Sequence, residues 1–159
     1  PTNQAWAGAP LVNAEGEILG IGSLFVADAV SQGMMSPGNL FVPINLLKPI
    51  LAELTEFGRR KTNVKPYLGL SSDDSSGQVV IMRVNKGGPS AEVGVLPQDI
   101  IPHVNQIPVT TLKDFYEAVW GSGESGSIVS LGITRAGQEI SLRVQTVDRM
   151  DYFVKPKSY

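Results

Sequence analysis

The chain has no cysteine, so neither a disulfide nor a thiolate metal site can form. Its only histidine is His103, and one histidine without cysteine rules out the common zinc ligand sets. No run of about 18 apolar residues occurs, which excludes a membrane-spanning helix within this sequence. An excess of basic residues is also missing. The 13 Lys and Arg against 15 Asp and Glu leave a formal net charge of -2. Without a basic stripe, nucleic acid and anionic membrane surfaces are excluded as partners. There is no initiator methionine and no signal-peptide pattern, so Pro1 reads as a cut end with any targeting segment upstream. What remains is a composition 42% apolar and 18% charged over 159 residues. That is a soluble globular chain of one ordinary domain or two small ones.

The residue pattern orders the chain from its N-terminus. Pro10-Leu11-Val12 and Glu17-Ile18-Leu19-Gly20-Ile21-Gly22 read as a β-hairpin around Asn13-Ala14-Glu15-Gly16, with Gly16 supplying a positive φ. Residues 27–38 read as a loop, and Asn39–Pro43 as a short strand ending at proline. Leu47, Ile50, Leu51, Leu54 and Phe57 recur at helical spacing, with Asn45 as the expected N-cap, Pro49 in the first turn and Gly58 as the stop. The basic cluster Arg59-Arg60-Lys61 follows, where positive charge complements a helix C-terminus. Residues 59–66 are polar and aperiodic and read as the linker region.

The second half opens at Tyr67-Leu68-Gly69-Leu70. A polar loop is expected over Ser71–Gly77, then a strand over Gln78–Val84. Pro89 begins and Gly94 ends one short helix. Strand Ile100–Val104 leads through Asn105–Pro108 to a helix over Leu112–Trp120 capped by Thr111. A last hairpin pairs Ile128–Ile133 with Glu139–Val144 across Arg135–Gln138.

The order of these pieces resembles the C-terminal portion of HtrA/Deg-type proteases, in which a chymotrypsin-like double β-barrel is joined to PDZ domains. The matching stretches are Gly8–Asn13, Gly16–Ile21, Leu40–Ile44, and the PDZ run Tyr67–Leu70, Gly88–Ala91, Gly94-Val95 and Asp99–Ile101. The resemblance puts Ala7 where the family carries its nucleophilic serine, in the motif Gly-Asn-Ser-Gly-Gly. A methyl group has neither a proton to release nor a lone pair to attack with. Ala5, Trp6 and Ala9 depart from the motif as well. This favours natural degeneration over a single knockout and implies a perturbed oxyanion loop. Gln98 stands where the family usually has glycine, and an altered turn is expected there.

Candidate sites weigh differently. His103 lies in a strand of the PDZ-like half and reads as structural. Ser23, Ser31 and Ser36 have no base partner by motif, so no catalytic residue is assigned. Asp73-Asp74 among serines reads as a solvated turn rather than a calcium loop, and no metal or other cofactor is expected. Met34-Met35 reads as loop packing. The resemblance implies that Tyr67-Leu68-Gly69-Leu70 is a loop that holds a peptide carboxylate on backbone N–H groups. Leu70-Ser71-Ser72 would then offer a strand edge, with Leu112, Phe115, Tyr116 and Val119 of the second helix as the opposite wall. One helix face must serve both core and groove, so these four residues also read as core. The tail Asp148–Tyr159 carries the apolar patch Tyr152-Phe153-Val154, which is expected to pack back on the domain or stay disordered rather than fill a neighbour's groove.

The fold expected is mainly β with α. Residues 1–60 form a remnant of a trypsin-like barrel with its closing helix, partly disordered, rearranged or paired with another chain. Residues 61–66 are a linker, 67–147 a PDZ-like β-sandwich capped by two helices, and 148–159 a tail. The function expected is capture of peptide or protein C-termini by a degenerate, proteolytically inactive HtrA-like protein of protein quality control. The alternatives are a fragment of an active endopeptidase whose PDZ domain regulates cleavage, and an assembly role with a homo-oligomer or the N-terminal protease half as partner. The resemblance alone implies a periplasmic or otherwise extracytoplasmic location.

Overall fold

The computed structural model describes residues 2–30 and 35–153. Ser31, Met34 and the tail beyond Phe153 lie outside the described residues. The chain divides into two compact units, Pro1–Arg60 and Lys61–Tyr159.

In the first unit β1 (Pro10–Val12), β2 (Ile18–Val26) and β3 (Gly38–Pro43) form an antiparallel meander in the order β1-β2-β3. Gly16 takes a φ of 82° in the β1–β2 turn, as the hairpin pattern requires. The helix expected from Asn45 is broken up. Two 3-10 turns, Ile44–Leu46 and Lys48–Ile50, precede α1 (Leu51–Phe57), and Asn45 sits inside the first turn instead of capping. Pro49 explains the break: it has no N–H to donate and opposes the α conformation of Lys48. Gly58 ends α1 at a φ of 67°, with its N–H on the Leu54 carbonyl. The apolar side of α1 is not buried, and Leu51 and Phe57 stay exposed.

The second unit is built on a sheet ordered β4-β5-β6-β8-β9, from β4 (Leu70–Asp73), β5 (Val80–Val84), β6 (Ile100–Val104), β8 (Ile128–Arg135) and β9 (Gln138–Gln145). The short β7 (Ile107–Pro108) pairs with β6, and the strands of this sheet pair antiparallel throughout the described residues. Ser71–Asp73 belong to β4, where the polar pattern reads a loop and the resemblance implies a strand edge over Leu70-Ser71-Ser72: alternation in Leu-Ser-Ser-Asp is weak, and the ladder to β5 supplies the order. Helices α2 (Pro89–Glu92) and α3 (Leu112–Gly121) complete the unit. The core joins Leu68, Ile81, Ile101, Val104, Leu131, Ile133 and Val144 with Phe115 and Val119 of α3.

Local chemistry sets the helix and turn positions. Thr111 accepts the Asp114 N–H at 3.1 Å while Asp114 accepts the Thr111 N–H at 3.2 Å, a reciprocal cap that starts α3. Asp74 is not a solvated turn residue, because its carboxylate accepts the Leu112 N–H at 2.8 Å and ties the end of β4 to the start of α3. Asp99 is 1% exposed and takes two bonds of 2.7 Å from Arg135 and one of 2.8 Å from the Leu96 N–H. Burial pushes its pKa up, but the bonds from Arg135 and Leu96 outweigh burial and leave it below the ordinary 3.8. Gln98 takes a φ of 72°, the left-handed conformation that a glycine there would adopt freely.

Candidate functional site

A groove of about 930 Å³ opens on the second unit. Three elements surround it: the loop Tyr67–Leu70 running into β4, the outer side of α3, and α4 (Arg149–Tyr152) followed by Phe153.

The first wall leaves backbone donors unused. Strand β4 is at the edge of the sheet order and pairs only with β5 among the described residues. The Asn85 N–H donates to the Gly69 carbonyl at 2.8 Å, so Leu70 and Val84 face each other as a non-hydrogen-bonded pair. The N–H and C=O of Leu70 therefore point to the open edge. The Leu68 carbonyl is occupied by the Ser90 N–H at 3.0 Å, whereas the N–H groups of Leu68 and Gly69 meet no acceptor among the described residues. Gly69 permits this turn twice over. Its φ is 74°, and a Cβ there would lie 3.0 Å from Pro89 Cδ and 3.3 Å from Gly88 Cα.

The expected side chains separate once α3 is seated. Val119 is buried but lines the groove, and Tyr116 lines it at 36% exposure. Phe115 is 0% exposed and belongs wholly to the core, so it has no surface for a ligand. Leu112 packs partly buried against the core and is not among the lining residues. Tyr67, Leu68, Leu70 and Ser71 line the groove, and Gly69 supplies its turn. Trp120, 43% exposed and 5.3 Å from the Tyr116 ring, is a lining residue that the helical pattern alone did not single out.

The third wall comes from the tail. The N–H of Tyr67 and the carbonyl of Val147 bond at 3.1 Å, which brings α4 beside the loop. Asp148 caps α4 by accepting the Met150 N–H at 2.8 Å. The rings of Tyr152 and Phe153 lie 5.6 and 6.4 Å from that of Tyr67, and the Tyr152 hydroxyl donates to the Lys86 carbonyl at 3.0 Å. The Arg149 guanidinium stands 5.9 Å from the Tyr67 ring centre and 5.3 Å from that of Phe153. Lys65, Arg83, Lys86 and Arg149 line the groove against one acid, Asp148. The signal for this wall was the spacing of Arg149, Tyr152 and Phe153, which puts all three on one side of a helical turn.

The other positions singled out by the sequence lie elsewhere in the fold. Ala7 is exposed between Trp6, whose carbonyl accepts the Ala9 N–H at 3.0 Å, and Gly8, whose N–H donates to Gly22 at 2.8 Å. Trp6 lies 6.4 Å from Phe41, and its carbonyl occupies the space a Cβ on Gly22 would need. Ser23 is exposed, and Ser36 Oγ accepts the Val30 N–H at 3.2 Å. His103 faces Gly132 across the β6–β8 ladder, and its ring fills the place of the missing side chain. Asp73 accepts bonds from both the N–H and the hydroxyl of Ser75. No three His, Asp or Glu side chains among the described residues could share a metal ion. No described helix is long and apolar enough to cross a membrane. Met35, expected to pack, is 96% exposed.

Known proteins match this chain along most of its length. Serine protease Do-like HtrA of Bacillus subtilis is 25% identical over 90% of the chain and 34% of its own length. Periplasmic serine endoprotease DegP of Salmonella typhimurium is 26% identical over 90% of the chain and 31% of its own length. The chain thus spans about a third of these relatives. A serine endoprotease structure from Yersinia pestis superposes with a TM-score of 0.57 at 24% identity, covering 87% of this chain and 46% of that one. The HtrA-type protease AlgW, solved with a decapeptide, gives 0.58 at 23%, covering 88% and 45%. These structures share the fold, mainly β with a few helices and a PDZ-like β-sandwich. The PDZ domain profile matches residues 66–146, just over half of the sequence, and through that stretch the chain belongs to the PDZ domain family.

Proposed function

We propose that the second unit captures the free C-terminus of an extended peptide and that the chain is part of an HtrA-like protein without its nucleophile. The peptide adds to the open edge of β4 as a further antiparallel strand. Its carboxylate sits on the N–H groups of Leu68, Gly69 and Leu70, which need no charged side chain to hold an anion. Its last side chain enters between Leu68, Leu70, Tyr116 and Val119, with Trp120 beside them. The observation that carries this reading is the outward N–H of Leu70 together with the unused N–H groups of Leu68 and Gly69, beside an edge strand in an open groove.

Proteolysis is assigned to no residue of this chain. Ala7 occupies the nucleophile position by resemblance, and the lone histidine fills a sheet position opposite Gly132. The relatives named periplasmic support an extracytoplasmic setting, where a C-terminus sensor serves protein quality control. The exposed sheet β1-β2-β3 fits pairing with an N-terminal protease half or with a second copy.

Fluorescence anisotropy with a peptide library, each peptide made with a free and with an amidated C-terminus, tests the reading. Binding at about micromolar affinity that weakens at least about tenfold on amidation is expected, a loss of about 1.4 kcal/mol. Binding indifferent to amidation would overturn carboxylate capture and favour internal segments.

A further inference from the structure

The groove has a sign of charge opposite to that of the chain. The whole sequence carries a net charge of -2, yet the groove is lined by Lys65, Arg83, Lys86 and Arg149 against Asp148. Of these cations Arg149 is the one held in place. Its guanidinium carbon stands over the rings of Tyr67 and Phe153, at 5.9 and 5.3 Å, with the two ring centres 6.4 Å from each other. A guanidinium resting against aromatic rings still has N–H groups for a planar anion, and a carboxylate can take two parallel bonds from it. Arg149 also lies outside the stretch matched to the PDZ domain family, which ends at residue 146. The loop N–H groups of Leu68, Gly69 and Leu70 already suffice for one carboxylate, so the cationic wall is surplus to a peptide's terminal anion.

We infer that this wall reads a second anion: the groove selects acidic peptides, with Arg149 as the specificity residue for a Glu or Asp side chain near the bound C-terminus. The inference rests on the peptide-capture reading above and names the ligand class of that same site. Lys65, Arg83 and Lys86 supply the field that favours the acidic ligand, while Arg149, held against two rings, supplies geometry. Tyr67 joins the two functions, since it begins the carboxylate loop and is one of the two rings that Arg149 rests against.

The test uses the 159-residue chain and paired fluorescent peptides with free C-termini. One set carries Glu and the other Gln at the second to fourth positions from the end, and amidated copies of both are included. The Glu set is expected to bind about tenfold tighter at about 50 mM salt, and the ratio should shrink at about 500 mM. Arg149→Gln should bring the ratio close to one. Arg149→Lys should keep part of it, because the charge stays and the planar fork goes. Arg149→Glu should invert the preference towards a Lys-bearing set, a change that loss of packing alone does not produce. Equal binding of both sets, or a ratio untouched by Arg149→Gln in a chain whose melting curve is unchanged, overturns the inference. If that happens while amidation still abolishes binding, carboxylate capture stands alone. A Glu preference that ignores amidation keeps this inference and removes the capture mode. No binding by any set overturns both.

Discussion

Two parts of one chain put similar apolar sequences to different ends. In the second unit Ile81, Ile101, Leu131, Val144 and Phe115 are fully buried. In the first, the described strands leave Leu11, Ile18, Leu24, Leu40 and Val42 between 40% and 61% exposed, and the buried positions are Gly20 and Gly22. Both parts have antiparallel strands, tight turns and a helix ended at a suitable residue. The difference is a second layer. In the second unit α3 lays Phe115 and Val119 onto the sheet, whereas α1 buries no residue fully. Pattern and turns suffice to make strands, but a core needs two faces that close on each other.

Breaking the core should reveal the contrast most strongly. Phe115→Ala is expected to cost about 3–5 kcal/mol in chemical denaturation of the second unit, because a large side chain at 0% exposure leaves a cavity. Phe57→Ala in α1, at 49% exposure, should cost less than about 1 kcal/mol. Equal losses would mean that Phe57 is covered in solution by a partner layer.

Gly69→Ala separates binding from folding within the second unit. It should weaken free-carboxylate peptides by about tenfold or more, since the added Cβ meets Pro89 and the positive φ is disfavoured. The melting temperature should fall only by several degrees, as about 1 kcal/mol does in a domain of this size. Parallel anisotropy and thermal melts check the split.

The Asp99–Arg135 bridge gives the second unit a pH signature. Its carboxyl has a lower pKa folded than unfolded, so its stabilising contribution is present above the unfolded value. That contribution is lost as pH falls below 3.8 through the folded value. Asp99→Asn should therefore lower the melting temperature near neutral pH, and the gap to the parent chain should narrow in acid. A gap constant with pH would refute the assignment.

The smallest expected effect is a gain. Gln98→Gly should stabilise the second unit by about 0.5–1 kcal/mol, because glycine adopts the φ of 72° without a Cβ penalty. Denaturant midpoints would show it.

Much of this is legible in the sequence. Thr111 as a cap and Pro89 and Gly94 bounding a short helix follow from local backbone preferences, and Gly69 as the pivot of the loop follows from the family resemblance. The last hairpin was equally plain, with Ala136 and Gly137 taking φ of 49° and 79° between β8 and β9. Other features were hidden for identifiable reasons. Pro49 divided a helix that its apolar spacing described as continuous. Asp74 looked like a solvated acid until the start of α3 arrived beside it, 38 residues along the chain.

What the sequence by itself determined is where the chain turns, caps, stops and alternates, and through those the PDZ-like order of elements. These depend on φ, on hydrogen-bonding side chains a few residues away and on apolar spacing, all of which are local. Only the tertiary structure decided which apolar residues became core and which became groove. Phe115 and Tyr116 are neighbours on one helix, yet one is sealed and the other faces the cleft, because seating α3 on the sheet sets a rotation that periodicity leaves free. The same holds for Arg149 and Phe153: their spacing shows a shared side, and the bond between Tyr67 and Val147 brings that side to the carboxylate loop.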